Sequence, residues 1–79
     1  MQEGIFTYDV VEKIAVLSEK NDTTKELRLV SYRGAKPKYD LRSWKKTEDG
    51  EKLLKGLTLT EEEAILLRDA LIKREELNQ

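Results

Sequence analysis

The sequence predicts an α+β fold in which a curved, four-stranded antiparallel sheet is followed by one C-terminal helix, in the order β-β-β-β-α. Residues 5–18, 25–33, 38–44 and 53–59 alternate with the two-residue period of strands. The turns between them are short and polar, which favours antiparallel neighbours. The last segment, from Thr60 to about Leu77, has the capping residues and apolar periodicity of a helix.

The chain has 79 residues, and we expect them to form a single domain, residues 1–79. It contains no Cys and no His, which removes disulfides, thiolate chemistry, imidazole bases and the usual zinc sites. We therefore predict no catalytic residue, no metal site and no cofactor. No apolar run approaches the ~18 residues of a membrane span. The default expectation is a cytoplasmic protein that does not bind a membrane.

Positive charge is concentrated in the middle of the chain, although the formal net charge is only −1. Residues 25–56 carry ten Lys or Arg against five acids, whereas residues 1–24 and residues 57–79 each carry a net charge of −3. This block favours a polyanionic partner, with solvation of a small protein as the alternative.

The first two strands alternate imperfectly. In residues 5–18 the even-numbered side is predicted to face inward, and Glu12 interrupts that side. We therefore expect a bend or bulge near residues 11–13, or a division into two strands. A polar turn over residues 20–24 precedes the second strand, where the facing of Tyr32 stays open.

The third strand, residues 38–44, alternates most clearly. Tyr39 and Leu41 are assigned to the side over a core, whereas Arg42 and the only Trp of the chain, Trp44, are assigned to an open side. A basic residue and a large aromatic on an open sheet face are typical of a surface that holds the phosphates and stacks the bases of a single strand. The alternative is that Trp44 turns inward as a core residue.

The remaining basic residues extend this hypothetical surface along the same strand and onto its neighbour. Together with Arg42 and Trp44 they are Lys25, Arg28, Arg33, Lys38, Lys45 and Lys46. Readers of duplex DNA more often offer a basic helix to the major groove, but the helix here opens with three Glu. The composition therefore favours binding of flexible strands to the sheet.

The C-terminal part is predicted as a polar loop over residues 45–52, a short strand over residues 53–59 and the helix. Gly56 permits close approach of another backbone. Thr60 and Glu63 have the spacing of a capping box.

At ~100° per residue the helix has two apolar sides, whereas a helix lying on its own sheet needs only one. The second side predicts a homodimer, with scattered exposed apolar residues as the alternative. The predicted interface residues are Ile65, Leu66 and Ile72.

Residues 38–44, followed by a polar loop and residues 55–63, resemble the transcriptional positive cofactor four family, and more closely its small bacterial YdbC-like members. The resemblance covers about residues 6–77. It implies a curved sheet with a C-terminal helix, dimerisation through that helix, and binding of single-stranded DNA across the sheet. It also implies DNA contacts at Arg42, Trp44 and Lys55, and an aromatic contact at Tyr32.

The expected function is therefore a homodimeric, largely sequence-independent single-stranded DNA-binding protein that acts in transcription regulation, replication or repair. Transcription or repair proteins are possible further partners. Two alternatives stay open: a single-stranded RNA binder on the same surface, and a protein-interaction module in which Trp44 anchors a partner. An enzyme is the weakest hypothesis.

Overall fold

Four strands and one helix follow one another in the computed structural model, which describes residues 7–78. They are β1 (Tyr8–Lys20), β2 (Thr23–Tyr32), β3 (Lys38–Thr47), β4 (Gly50–Leu59) and α1 (Glu61–Leu77). The strands form one antiparallel sheet in the order β1-β2-β3-β4. The predicted α+β architecture and the β-β-β-β-α order are confirmed. The described helix is not long and apolar enough to cross a membrane.

The first strand is continuous but irregular. Its register against β2 shifts three times, which leaves one extra residue at each shift, namely Val11, Ile14 and Leu17. Bulges of this kind bend a strand and increase its twist. The bulge predicted near residues 11–13 is confirmed, whereas the division into two strands is wrong. Residues 5 and 6 of the predicted strand lie outside the described residues.

The prediction that the even-numbered side of β1 faces inward is wrong beyond Val10. Each bulge resets the alternation, so that the direction of a side chain no longer follows from its residue number. Ile14 and Val16, which were assigned to the inner side, are both exposed.

The two middle strands set the two faces of the sheet. β2 and β3 pair without interruption from Thr23 opposite Lys45 to Val30 opposite Lys38. Their even-numbered side chains therefore project to one side, which we call the tryptophan face because it carries Trp44. Their odd-numbered side chains project to the other side, which we call the helix face because Leu27 and Tyr39 line a groove there that α1 also lines.

The polar loop predicted over residues 45–52 is mostly wrong. β3 continues to Thr47 and β4 begins at Gly50, so that only a tight turn separates them. Lys45 lies opposite Lys52, which continues the ladder with polar residues. The prediction failed because it required apolar alternation, and a sheet whose two faces are solvated does not need it.

Close backbone approach at Gly56 is confirmed. Gly56 lies opposite Arg42, and a Cβ added to it would be 1.9 Å from the Arg42 Cβ. Just before it, β4 places two residues, Leu54 and Lys55, opposite Ser43. The carbonyl of Leu54 at this bulge accepts a hydrogen bond from Arg42 Nη1 at 3.0 Å. Leu54 and Gly56 thus accommodate the Arg42 side chain.

The predicted helix and its capping box are also confirmed. The Glu63 amide donates to the Thr60 hydroxyl at 3.1 Å, and the Thr60 amide donates to the Glu63 carboxylate at 2.8 Å. No residue of α1 is buried. A groove of about 430 Å³ separates part of α1 from Leu27, Tyr39 and Leu59 of the sheet.

The assignment of apolar helix residues to two sides needs correction. Ile65 and Ile72, which were separated from the sheet-packing side, line the groove between helix and sheet together with Leu71. Leu66 does not line that groove and is 69% exposed. The periodicity had also placed Leu71 on a different side of the helix from Ile65 and Ile72, which is wrong because all three line the same groove.

Candidate nucleic-acid interface

Trp44 projects from the same face of the sheet as Arg42, as predicted, but the expectation that this face is open is wrong. Its side chain is among the most deeply buried in the described chain, with a relative exposure of 2%. The Arg28 guanidinium stacks over its ring at 3.8 Å from the centroid, and the Tyr8 ring lies 5.6 Å away, centroid to centroid. Trp44 is therefore a core residue in this conformation.

The burial of Trp44 follows from the coiling of the sheet. Tyr8 pairs with Tyr32 at one end of β2, whereas Trp44 pairs with Thr24 near the other end. A flat sheet with 3.2–3.4 Å per residue would separate these positions by roughly 26 Å. Their contact requires strong coiling, which the bulges of β1 provide, and side chains that lean along the strands.

Arg28 is held by two carboxylates above the Trp44 ring. Its Nε donates to Glu26 at 2.8 Å, and its Nη1 and Nη2 donate to Glu51 at 2.6 and 3.0 Å. Thr24 donates its hydroxyl proton to the same Glu26 carboxylate. The bidentate pair with Glu51 fixes the plane of the guanidinium. Arg28 is thus part of the core rather than a cation offered to a partner.

A second cluster joins Arg42, Asp40 and Tyr32. Arg42 Nε donates to both carboxylate oxygens of Asp40 at 2.7 and 2.9 Å, and the Tyr32 hydroxyl donates to Asp40 at 2.5 Å. Asp40 is fully buried, whereas Arg42 and Tyr32 are half-buried. Tyr32 therefore faces the tryptophan face, which the sequence left open. Arg42 Nη2 has no hydrogen bond with any described residue.

These contacts shift the ionisation of the groups that make them. Hydrogen bonds from Arg28 lower the pKa of Glu26 and of Glu51, and burial opposes this in each case. Burial and the hydrogen bond to Asp40 both raise the pKa of Tyr32. The hydrogen bond to Asp40 raises the pKa of Arg42. The ionised forms of Arg42 and of both glutamates are therefore favoured, and the Tyr32 phenol stays protonated.

The predicted cations do not all lie on one surface. Lys38 and Lys46 are exposed on the tryptophan face, on either side of Arg42 along β3. Lys55 is exposed in the β4 bulge. Lys25 lies opposite Ser43 and therefore projects from the helix face. Arg33 lies outside the strands, with a backbone φ of 55°.

The carboxylates that hold the arginines were missed by the sequence reasoning. Glu26–Arg28 and Asp40–Arg42 are separated by two residues, which places each acid beside its arginine on the same face of a strand. That spacing is a signal that could have identified both pairs. Glu51 and Arg28 are far apart in the sequence, and their contact has no such local signal, since it depends on the pairing of β3 with β4.

A cavity of about 420 Å³ opens beside Trp44 near the ends of the two hairpins. Its lining combines cations with acids, including Lys13, Lys46, Glu19 and Glu51. The indole Nε1 of Trp44 is buried and has no hydrogen-bond partner among the described residues. Within residues 7–78, no group of three carboxylates is arranged to hold a metal ion.

Comparisons with known proteins match most of the sheet and the first part of the helix. Residues 19–70 match the family model described as Transcriptional Coactivator p15 (PC4), and this match spans β2, β3, β4 and the first part of α1. A curated protein of Treponema pallidum (strain Nichols), described as "Uncharacterized protein", is 40% identical over 67 residues. That similarity covers 84% of this chain and 76% of the Treponema protein. The chain therefore belongs to the transcriptional coactivator p15 (PC4) family.

Proposed function

We propose that this protein is a homodimeric, largely sequence-independent single-stranded DNA-binding protein that acts in transcription regulation, replication or repair. The observation that carries the proposal is the family match over residues 19–70. The matched segment contains the three strands that bring Arg28, Arg42 and Trp44 to one face.

In this proposal the exposed cations hold the phosphates. Lys38 and Lys46 project from the tryptophan face beyond the two ends of the buried cluster, and Lys55 lies at the β4 bulge beside Arg42. Arg42 already uses Nε and Nη1 within the fold. This pre-orders its guanidinium and leaves Nη2 to make a charge-assisted hydrogen bond with a phosphate oxygen.

Base stacking on Trp44 requires a rearrangement, because its ring already contacts Arg28 and Tyr8. Glu51 is the more exposed partner of Arg28, with about a third of its side chain in contact with solvent. Displacement of Glu51 by a phosphate would release Arg28 from the ring. Tyr32 is half-buried and is the second candidate for stacking. Stacking would contribute roughly 1–3 kcal/mol per base.

The second part of the proposal is that two copies associate through α1. Large apolar side chains of this helix are exposed over most of its circumference, including Leu66, Leu71 and Leu77. Exposed apolar surface of this extent is uncommon on monomers and marks an interface. The groove that contains Ile65 and Ile72 would receive the partner helix, and an isologous contact would cover both grooves at once.

Titration with oligo-dT tests the binding function. We expect Trp44 fluorescence to change on binding, and the affinity to fall steeply with salt because bound phosphates release counterions. Anisotropy of a labelled oligonucleotide gives the affinity independently of the Trp signal. An absence of binding by both methods would refute the proposal. Competition with a matched RNA oligonucleotide measures the preference between the two nucleic acids.

The site on the tryptophan face is tested by the double substitution of Lys38→Gln with Lys46→Gln. We expect weaker binding and a salt slope smaller by about 1.4, since each lost single-strand phosphate contact removes about 0.7. The matched control is Lys36→Gln with Lys73→Gln, which removes the same charge from the β2–β3 connection and from α1. Equal effects of the two double variants would show that only the net charge matters.

The dimer is tested by sedimentation equilibrium of two helix variants. Ile72→Lys places a charge in the groove, and Leu66→Lys places one on the exposed side of α1. We expect the first variant to be monomeric if the groove is the interface, and the second if the outer side is. A dimer that both substitutions leave intact, or a monomeric parent protein, would contradict association through α1.

A further inference from the structure

The two faces of the sheet differ in how their cations are compensated. On the tryptophan face the pairing register brings four carboxylates among five cations. The cations are Lys13, Arg28, Lys38, Arg42 and Lys46, and the carboxylates are Glu19, Glu26, Asp40 and Glu51. The surplus positive charge of the central strands must therefore lie mainly elsewhere.

Much of that surplus lies on the helix face, at the end of the sheet away from the apolar groove. Four lysines project there, and we call them the lysine patch: Lys20, Lys25, Lys45 and Lys52. All four are exposed, and none forms an ion pair with another described residue. No carboxylate projects from the strand positions between them, which are occupied by Ser18, Thr23 and Ser43.

The register fixes the arrangement of the patch. Lys45 lies directly opposite Lys52, and Thr23 separates Lys45 from Lys20 in the same row across the sheet. With strands 4.7–4.9 Å apart, the backbones of Lys20 and Lys45 are roughly 10 Å apart. Lys25 lies two residues further along β2, roughly 7 Å from that row. The patch is thus a compact field of four ammonium groups.

This arrangement is unfavourable for the fold alone. Like charges directly opposite each other on neighbouring strands destabilise a sheet. On the tryptophan face Arg28 and Arg42 each have a carboxylate partner, whereas the lysine patch has none among the described residues. An anionic ligand would remove the repulsion. The hydroxyls of Thr23 and Ser43, which lie between the lysines, can donate hydrogen bonds to phosphate oxygens.

We propose that the lysine patch is a second phosphate-binding surface, which holds the sugar–phosphate backbone of the nucleic acid after it leaves the tryptophan face. Lys45 and Lys46 are consecutive residues of β3 that project to opposite faces, close to the β3–β4 turn. Cationic side chains are therefore present on both faces at the end of this hairpin, at adjacent positions of one strand. The inference rests on the proposed single-strand binding and extends its path.

The test uses a double variant of the lysine patch that carries both Lys45→Gln and Lys52→Gln. Its matched control is the double variant that carries Lys36→Gln and Lys73→Gln. The probe is an oligo-dT of about 30 nucleotides, which exceeds the roughly 4–16 nucleotides that one single-strand-binding fold covers. We expect the patch variant to bind more weakly and to lose about 1.4 from the salt slope, at about 0.7 per phosphate contact. The control should retain the slope of the parent protein. Sedimentation equilibrium of each variant confirms that the oligomeric state has not changed.

The outcomes separate this inference from the function on which it rests. If the parent protein binds and the patch variant keeps the parent slope, the lysine patch is not a phosphate site and the tryptophan face alone binds. An equal decrease in the patch and control variants would also overturn the inference, since it would reflect net charge alone. If the parent protein does not bind the oligonucleotide, the proposed function fails and this inference fails with it.

Discussion

The tryptophan face and the lysine patch are built from alternate residues of the same strands, yet they treat charge in opposite ways. On the first, Arg28 and Arg42 are held by carboxylates, and Arg28 is buried over Trp44. On the second, the lysines are exposed and lack a carboxylate partner among the described residues. A count of basic residues in the central segment therefore does not locate the charge that is available to a partner. The partners of each cation decide that.

The cations of the two surfaces therefore have different expected roles. A buried guanidinium with two carboxylates and an aromatic ring around it is expected to govern stability. An exposed lysine opposite another lysine is expected to govern association. The following substitutions test this division, beginning with the largest expected effect.

Removing the charge of Arg28 should cost the most stability. Arg28→Met keeps much of the side-chain volume but leaves Glu26 buried without its cation. We expect the free energy of unfolding in urea to fall by about 3–5 kcal/mol, the cost of breaking one side of a buried ion pair. Arg68→Met is the control, because its pair with Asp69 is exposed and should change stability by less than about 1 kcal/mol.

A variant that fails to fold would still be informative in this series. The triple variant Glu26→Gln, Arg28→Met and Glu51→Gln removes the charges on both sides of the pair. It should recover much of the stability, because an ion pair replaced as a unit leaves no buried charge. If Arg28→Met is as stable as the parent protein, the buried cluster does not support the fold as described.

A methyl group at position 56 should have the next largest effect. In Gly56→Ala the new Cβ would meet the Arg42 Cβ at 1.9 Å and the Leu41 carbonyl oxygen at 2.6 Å, so that the backbone of β3 or β4 must move. We expect a loss of about 1–3 kcal/mol in urea unfolding. Gly34→Asn is the comparison, since its site is sterically open and Asn tolerates a positive φ. Equal losses at the two positions would argue against the close contact with Arg42.

Acid should lower the free energy of unfolding through the carboxylates of the tryptophan face. The pKa values of Glu26 and Glu51 lie below their ordinary value of 4.5 in the folded protein. Their contribution to stability is therefore fully present above about pH 4.5 and is lost as the pH falls through their folded values. We expect the decline in the free energy of unfolding to be shallower in Glu26→Gln with Glu51→Gln. The control is Glu48→Gln with Asp49→Asn, both in the β3–β4 turn, and a decline equally shallow in that control would contradict the assignment.

The sequence predicted the parts of this fold that depend on local chemistry. The alternation in residues 38–44 placed Arg42 and Trp44 on one face, and the structure confirms it. The Thr60–Glu63 capping box set the start of the helix, because it satisfies amides within one turn. Gly56 indicated close approach, because only a residue without Cβ fits opposite Arg42.

The burial of the tryptophan face could not be predicted in the same way. Alternation assigns a side chain to a face, but exposure depends on what covers that face. Here the cover comes from Tyr8, which three bulges in β1 help to bring within reach of Trp44, and from Arg28, which Glu51 holds over the ring once β3 and β4 have paired. Both contacts are remote in sequence. For the same reason, the lysine patch becomes visible only once the register of all four strands is known.

A substitution in the lysine patch should have the smallest effect on stability, and it distinguishes the roles of the two faces most sharply. Lys52→Glu replaces a like-charged pair with an ion pair opposite Lys45, and such a cross-strand pair is worth roughly 0.2–1 kcal/mol. We therefore expect the variant to unfold at a slightly higher urea concentration while it binds oligo-dT more weakly. Lys36→Glu, outside both surfaces, should change neither quantity appreciably. A gain in stability with lost binding is the behaviour of a position that is not optimal for the fold alone, whereas a gain with unchanged binding would make the lysine patch an ordinary solvated surface.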